Sequence, residues 1–145
     1  MTITTPLSRT SAQVTLVAAR IAIAGAEREA ERNGWHISVA VVDAAGEPVA
    51  FEKCDSAIGI SPSVAFGKAR TAALLQAPSG EFERFINNGQ PSFLSVPGVT
   101  PLEGGLPIYS GSQVIGAIGV SGAHGPNDTQ VAAAGVAALM KLEVL

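Results

Sequence analysis

At 145 residues the chain is long enough to bury a core in one domain without a disulfide or structural metal, and its net charge of −3 comes with no cluster of Lys and Arg. That excludes a phosphate-backbone partner, and nucleic acid is not expected. Residues are 47% hydrophobic, 5% aromatic and 14% charged, against a usual charged share of about 25%, so part of this charge-poor surface is expected to be covered in a homo-oligomer.

Met1 to Arg9 has no basic segment followed by an apolar run, so no secretory signal is read there. A first helix is predicted from Ser8 to Asn33. Val14, Val17, Ala18, Ile21 and Ala24 form one apolar stripe, and Leu16, Ile23 and Ala30 belong to another. Two apolar faces imply cover on both sides, which is read as a neighbouring subunit. Arg20 interrupts the stretch Val14 to Ala26, which is too short to span a bilayer, so no membrane partner is expected. Asn33-Gly34 is a helix stop.

Trp35 to Asp43 and Glu47 to Lys53 read as a hairpin around Ala44-Ala45-Gly46. The single cysteine, Cys54, cannot form an internal disulfide, which fits a reducing cytoplasm, and it is expected in the core. Zinc-ligand spacings are absent, and no metal is expected. A second helix starts with Ser61 as N-cap and Pro62 at its first position, and ends near Ala77 before Pro78. Ser79 to Asn88 is a short third helix. Gln90 to Pro101 is a Pro-, Gly- and Ser-rich loop carrying a short strand, Phe93 to Val96. Leu106 to Tyr109 and Gln113 to Val120 form a second hairpin around Ser110-Gly111-Ser112. Asn127 and Gln130 then make a capping box for a last helix through Lys141. The order is α-β-β-α-α-β-β-β-α: one α+β (α/β) domain over residues 1–145, with a mainly antiparallel five-stranded sheet and flanking helices.

Four segments stand in a telling order: Val39-Ala40-Val41-Val42-Asp43-Ala44-Ala45-Gly46, Lys68-Ala69-Arg70-Thr71-Ala72, Gly104-Gly105-Leu106-Pro107-Ile108 and Gly116-Ala117-Ile118-Gly119-Val120-Ser121-Gly122. Together they resemble the GlcG/HbpS family, also seen as the C-terminal domain of PduO-type proteins. The resemblance covers nearly the whole chain and implies a profilin- or PAS-like sheet with helices around it. It also implies haem or another small molecule of a catabolic pathway as ligand. Neither His36 nor His124 falls in a family motif, so neither inherits an axial-ligand role.

Lys68 shares a helical stripe with Val64, Thr71 and Leu75, and a lysine on an apolar stripe must be paired. It would hold a ligand carboxylate, act as a base, or form an ion pair with Asp43 or Asp55. The Thr71 hydroxyl is the kind that bonds its own helix backbone. Gly104-Gly105 allows a close backbone approach and could offer N–H groups to an anion, or simply make a tight turn at the strand start. Glu103 is a candidate general acid or base. Ser121 lies in Gly119-Val120-Ser121-Gly122-Ala123, whose last position departs from a nucleophile elbow, so a structural role is read for it.

These residues support three readings. One is a binding module in which Asp55, Lys68, Thr71, Glu103, Gly104 and Gly105 line a pocket over the sheet, holding a small carboxylated or planar ligand. Another is a cofactor-free isomerase, lyase or hydrolase using Lys68 or Glu103, with Gly104-Gly105 steadying an oxyanion. The third is a haem carrier.

Overall fold

A computed structural model describes residues 5–142, so the first four residues of the segment read for a secretory signal lie outside the described residues. Helix α1 spans Leu16–Arg32, eight residues shorter at its start than 8–33 would need, because Thr15 caps it by accepting the Ala18 N–H at 3.0 Å. The chain before it is extended and pairs with the sheet, with the Val14 N–H donating to the Ile115 carbonyl. Asn33 ends the helix and Gly34 follows at φ +72°.

Strands β1 (Ser38–Asp43), β2 (Pro48–Lys53), β3 (Gly105–Ser110) and β4 (Gln113–Ser121) form one antiparallel sheet of order β2-β1-β4-β3. Pro48, which has no N–H to give a ladder, sits at the first position of an edge strand. The expected fifth strand is not formed. Phe93 lies in a 3₁₀ turn, Pro91–Ser95, and its ring packs on Phe82 and Phe85 of α3 (Gly80–Asn87) with centroids 5.1 and 4.8 Å away. Burying that ring against α3 holds the segment in a turn away from the sheet.

The central strand β1 is covered on both faces. Val39 and Val41 pack with Ile118, Val120 and the α1 residues Ala22, Ile23 and Ala26 in one cluster. Ala40, Val42 and Ala117 pack with Ala65, Ala69 and Ala72 of α2 (Ser61–Leu75) in the other. Helix α4 (Gly125–Met140) covers α1. The two helices cross so closely that a Cβ on Gly25 would lie 2.7 Å from that of Ala138, and one on Gly135 would lie 2.8 Å from the Ala22 carbonyl oxygen. This accounts for the double apolar character of α1 within one chain: the sheet takes one face and α4 the other. Ile23 is fully buried while Leu16, at the helix start, remains 44% exposed.

Helix boundaries differ from expectation where side chains found other partners. Ser61 is the first residue of α2 rather than its cap, and its hydroxyl donates to the Ile58 carbonyl at 2.7 Å and lies 2.9 Å from the Ser38 hydroxyl. The last helix begins at Gly125, two residues before Asn127, with Pro126 in its first turn; the Asn127 amide donates back to the Ala123 carbonyl. Cys54, expected in the core, is exposed, because it falls just past the end of edge strand β2.

Candidate functional site

The side chain that organises the site is Lys68, in the middle of α2 and 3% exposed. Its ammonium donates to Asp128 Oδ2 at 2.8 Å and to the Val120 carbonyl at 3.0 Å. Asp128 is equally buried in the first turn of α4, where the unpaired helix amides favour a negative charge. Its other oxygen accepts the Ala123 N–H at 2.8 Å, so the carboxylate caps the chain entering the helix as well as balancing the lysine. The pair therefore ties α2, the end of β4 and α4 together. Lys68 takes neither Asp43 nor Asp55 as partner; Asp43 holds the β1–β2 turn by accepting the Ala45 and Glu47 N–H groups.

Gly104 and Gly105 stand against this pair. Gly104 has φ +126°, and a Cβ there would lie 2.8 Å from the Val120 carbonyl oxygen and 2.9 Å from Lys68 Nζ. At Gly105 a Cβ would reach within 2.2 Å of the Lys68 carbonyl oxygen. The close approach that two glycines permit is thus an approach to α2. The Gly105 N–H is taken by the Ser79 hydroxyl at 2.9 Å, which leaves it no part in holding an anion.

Thr71 is buried and doubly bonded. Its hydroxyl donates to the Gly67 carbonyl at 2.7 Å and accepts the Thr100 N–H at 2.8 Å, locking the loop before β3 onto α2. It does not reach the cleft described next. Asp55 lies elsewhere again, in a cleft beside Trp35 and Lys53. Of the six candidate residues, the structure gathers Lys68, Glu103, Gly104 and Gly105 and separates Thr71 and Asp55.

A cleft of about 470 Å³ opens over the ion pair. Lys68, Asp128 and Ser121 line it together with Glu83, Glu103 and His124, and an apolar wall is made by Ile58, Ile60, Val64 and Leu102. Ile58 and Ile60 are each 62% exposed, an unusual state for isoleucines flanking a hollow. Glu103 Oε1 accepts the Thr129 hydroxyl at 2.8 Å, which fixes that side chain at the mouth. His124 is exposed and held at φ +74° in the tight passage from β4 into α4. That is a conformation non-glycine residues rarely adopt, and His124 is among the residues that line the cleft.

Sequence reasoning missed Asp128 and Glu83. The signal for Asp128 was an acidic residue in the first turn of the last helix, overshadowed by the apparent capping box at Asn127. Among the described residues no group of three or more His, Cys, Asp or Glu side chains could hold a metal ion, and no helix is long and apolar enough to cross a membrane.

Comparison with known proteins agrees with this architecture. Residues 14–137 match the family described as haem degrading protein HbpS-like. Protein GlcG of Escherichia coli K12 is 40% identical over 99 residues, covering 68% of this chain and 74% of that protein. The crystal structure of Klebsiella pneumoniae protein ORFY superposes with a TM-score of 0.90 at 27% identity, covering 97% of this chain and all of that one. A double mutant of HbpS from Streptomyces reticuli gives a TM-score of 0.84 at 34% identity, with 94% of each chain covered. With the family match running from the segment before α1 almost to the end of α4, the chain belongs to the HbpS-like family that includes GlcG.

Proposed function

We propose that this protein binds a small molecule in the cleft over the Lys68–Asp128 pair, and that the ligand is planar and largely apolar rather than a simple carboxylate. The observation that carries this reading is the cleft's composition. Exposed Ile58, Ile60 and Leu102 offer an apolar face, while the buried cation on its floor, Lys68, is already neutralised by Asp128. Glu83 and Glu103 add negative charge at the same opening, which opposes an anionic ligand.

Haem, named in the family's description, is the planar ligand to try first. The donor set suits it in part. His124 presents an imidazole of the kind that iron takes as axial ligand, beside an apolar wall. The acidic edge of a porphyrin would have to point to solvent, away from Glu83 and Glu103. When bound, the group would supply redox and oxygen chemistry; the chain's own contribution would be to bind, orient and shield it.

A cofactor-free enzyme is the second reading. Here Glu103, fixed by Thr129 at the mouth, would be the proton carrier, and Lys68 would hold Asp128 in place rather than move protons. A cytoplasmic, self-associating protein of a catabolic pathway accords with either reading, and the exposed Val17, Phe51 and Met140 offer apolar surface for a second copy.

The deciding experiment is titration with one equivalent of haem. A sharp, shifted Soret band that survives gel filtration and is lost in His124→Ala supports a haem site in this cleft. A band retained in His124→Ala but lost in Ile60→Asp keeps the cleft and removes the ligand role of His124. A free-haem spectrum refutes haem as ligand. If a screen of planar apolar compounds then shows no binding abolished by Ile60→Asp, the cleft itself is refuted as the site.

A further inference from the structure

A second cleft, of about 600 Å³, shares no lining residue with the first. Its walls come from the end of α1, from the chain entering β1 and from the chain leaving β2. Cys54 N–H donates to the Ile37 carbonyl at 2.9 Å, extending the β1–β2 ladder one step beyond the Ser38–Lys53 pair. This added rung pairs Cys54 with Ile37 and so brings the residue after β2 next to the chain entering β1, where His36 lines the same cleft. Cys54 Sγ lies 3.7 Å from His36 Nδ1, within hydrogen-bond reach for sulfur, and both residues are exposed to the cleft. The backbone behind them is tightly backed, since a Cβ on Gly122 would lie 2.4 Å from the His36 carbonyl oxygen. A thiol paired with an imidazole at an accessible hollow is an arrangement for nucleophilic chemistry.

We propose that Cys54 and His36 form a thiol-exchange site that accepts small neutral or cationic disulfides. His36 Nδ1, in the tautomer that leaves it an acceptor, takes the Sγ proton as Sγ attacks one sulfur of the disulfide. The S–S bond of the small molecule breaks and a Cys54–sulfur bond forms. The departing sulfur takes the proton back from His36 and leaves as a free thiol. Cys54 is oxidised and one sulfur of the small molecule is reduced, so no further oxidant is required. Because the chain has a single cysteine, no internal thiol can displace the adduct, and the mixed disulfide lasts until an external thiol reverses it.

The charge around the pair selects the substrate. Glu27, Glu31 and Asp55 line the cleft against one cation, Lys53. Burial, with Glu52 and Glu31 close by, pushes the Glu27 carboxyl up to about 7, so it is partly protonated near neutral pH while the cleft as a whole stays negative. An anionic disulfide is repelled there and a cationic one attracted.

The test measures adduct formation by intact mass at pH 7 with two probes, the dication cystamine and the dianion dithiobis(nitrobenzoate). Each is applied to the folded protein, the urea-unfolded chain and His36→Ala. With cystamine the folded protein should react at least about a hundredfold faster than both the unfolded chain and His36→Ala, the lower end of what a positioned base contributes. His36 is exposed, so the melting temperature of the variant should match the parent. A folded rate no higher than that of the unfolded chain, or one unchanged in His36→Ala, overturns the exchange site. A cystamine preference no greater folded than unfolded overturns the charge selection.

Discussion

Replacing Lys68 by Met tests the centre of the structure. The substitution keeps an unbranched apolar stem, one atom shorter, but removes the ammonium that lies 2.8 Å from Asp128 and 3.0 Å from the Val120 carbonyl, where both charged side chains are almost fully buried. Asp128 would then keep one partner, the Ala123 N–H, for a carboxylate that is only 4% exposed. Breaking a buried pair by removing one member costs about 3–5 kcal/mol, because the remaining charge is uncompensated. For a domain of about 150 residues each kcal/mol lowers the melting temperature by roughly 2–4 °C, so a fall of about 6–20 °C is expected. Urea unfolding should show the same loss at an unchanged m-value. The double variant Lys68→Met/Asp128→Leu removes both charges, and should recover at least half of the loss, because apolar replacement of a whole buried pair is often neutral. A single variant within about 1 kcal/mol of the parent, or a double variant no better than the single, would refute the reasoning that the pair is a closed structural unit.

Other perturbations follow from the same packing. Gly104→Ala places a Cβ within 3.0 Å of the Val120 carbonyl, Lys68 Nζ and Asp128 at a positive φ, and should destabilise by about 3 kcal/mol in urea titration; an effect below about 1 kcal/mol would contradict the described approach. Ile23→Ala in the α1 core should cost about 2–5 kcal/mol, whereas Leu16→Asp should stay within about 0.5 kcal/mol and can be read by light scattering for weakened self-association. Phe93→Ala should cost about 2 kcal/mol through loss of its ring contacts with Phe82 and Phe85, which thermal unfolding would show. Glu27, pushed from 4.5 up to about 7 chiefly by burial and then by Glu52, keeps a proton that the unfolded chain gives up between those values. Stability should therefore fall as pH rises through that window and stay lower above it; Glu27→Gln should gain about 1 kcal/mol at pH 8, after discounting for exposure, and nothing near pH 4.

Local signals carried most of the fold. Pro62 and Pro78 bracket α2, Asn33-Gly34 stops α1, and Ser110-Gly111-Ser112 turns the second hairpin, each through backbone chemistry that acts within a few residues. What local signals could not show was a partner distant in sequence. Phe93 reads as strand on propensity, yet its ring is held by α3. Asp128 reads as one more polar residue at a helix start, yet its partner is sixty residues earlier in the chain. The four family motifs did identify the group, because their order reflects the fold as a whole and not any one contact.

The same residues show why Lys68, which the sequence leaves open to a ligand carboxylate, a base role or an ion pair, is paired within the chain. A helix that presents Ala65, Ala69 and Ala72 to the sheet lies close to it, and the glycines of β3 and β4 allow this: a Cβ on Gly119 would meet the Ala65 carbonyl oxygen at 2.2 Å. So close a helix leaves Lys68 almost wholly buried, and its ammonium finds its partners in the end of β4 and the start of α4. Fixing those two ends also fixes the passage between them, and with it the positive φ of His124 and the position of Glu103 against Thr129. The ion pair thus acts as a frame for this end of the cleft, and in the proposed binding reading the side chains that would meet a ligand are its other lining residues, Ile58, Ile60, Leu102, Glu83, Glu103 and His124. Loss of binding in a Lys68 variant would be collapse of that frame, whereas loss in an otherwise stable His124 or Ile60 variant would be loss of contact with the ligand itself.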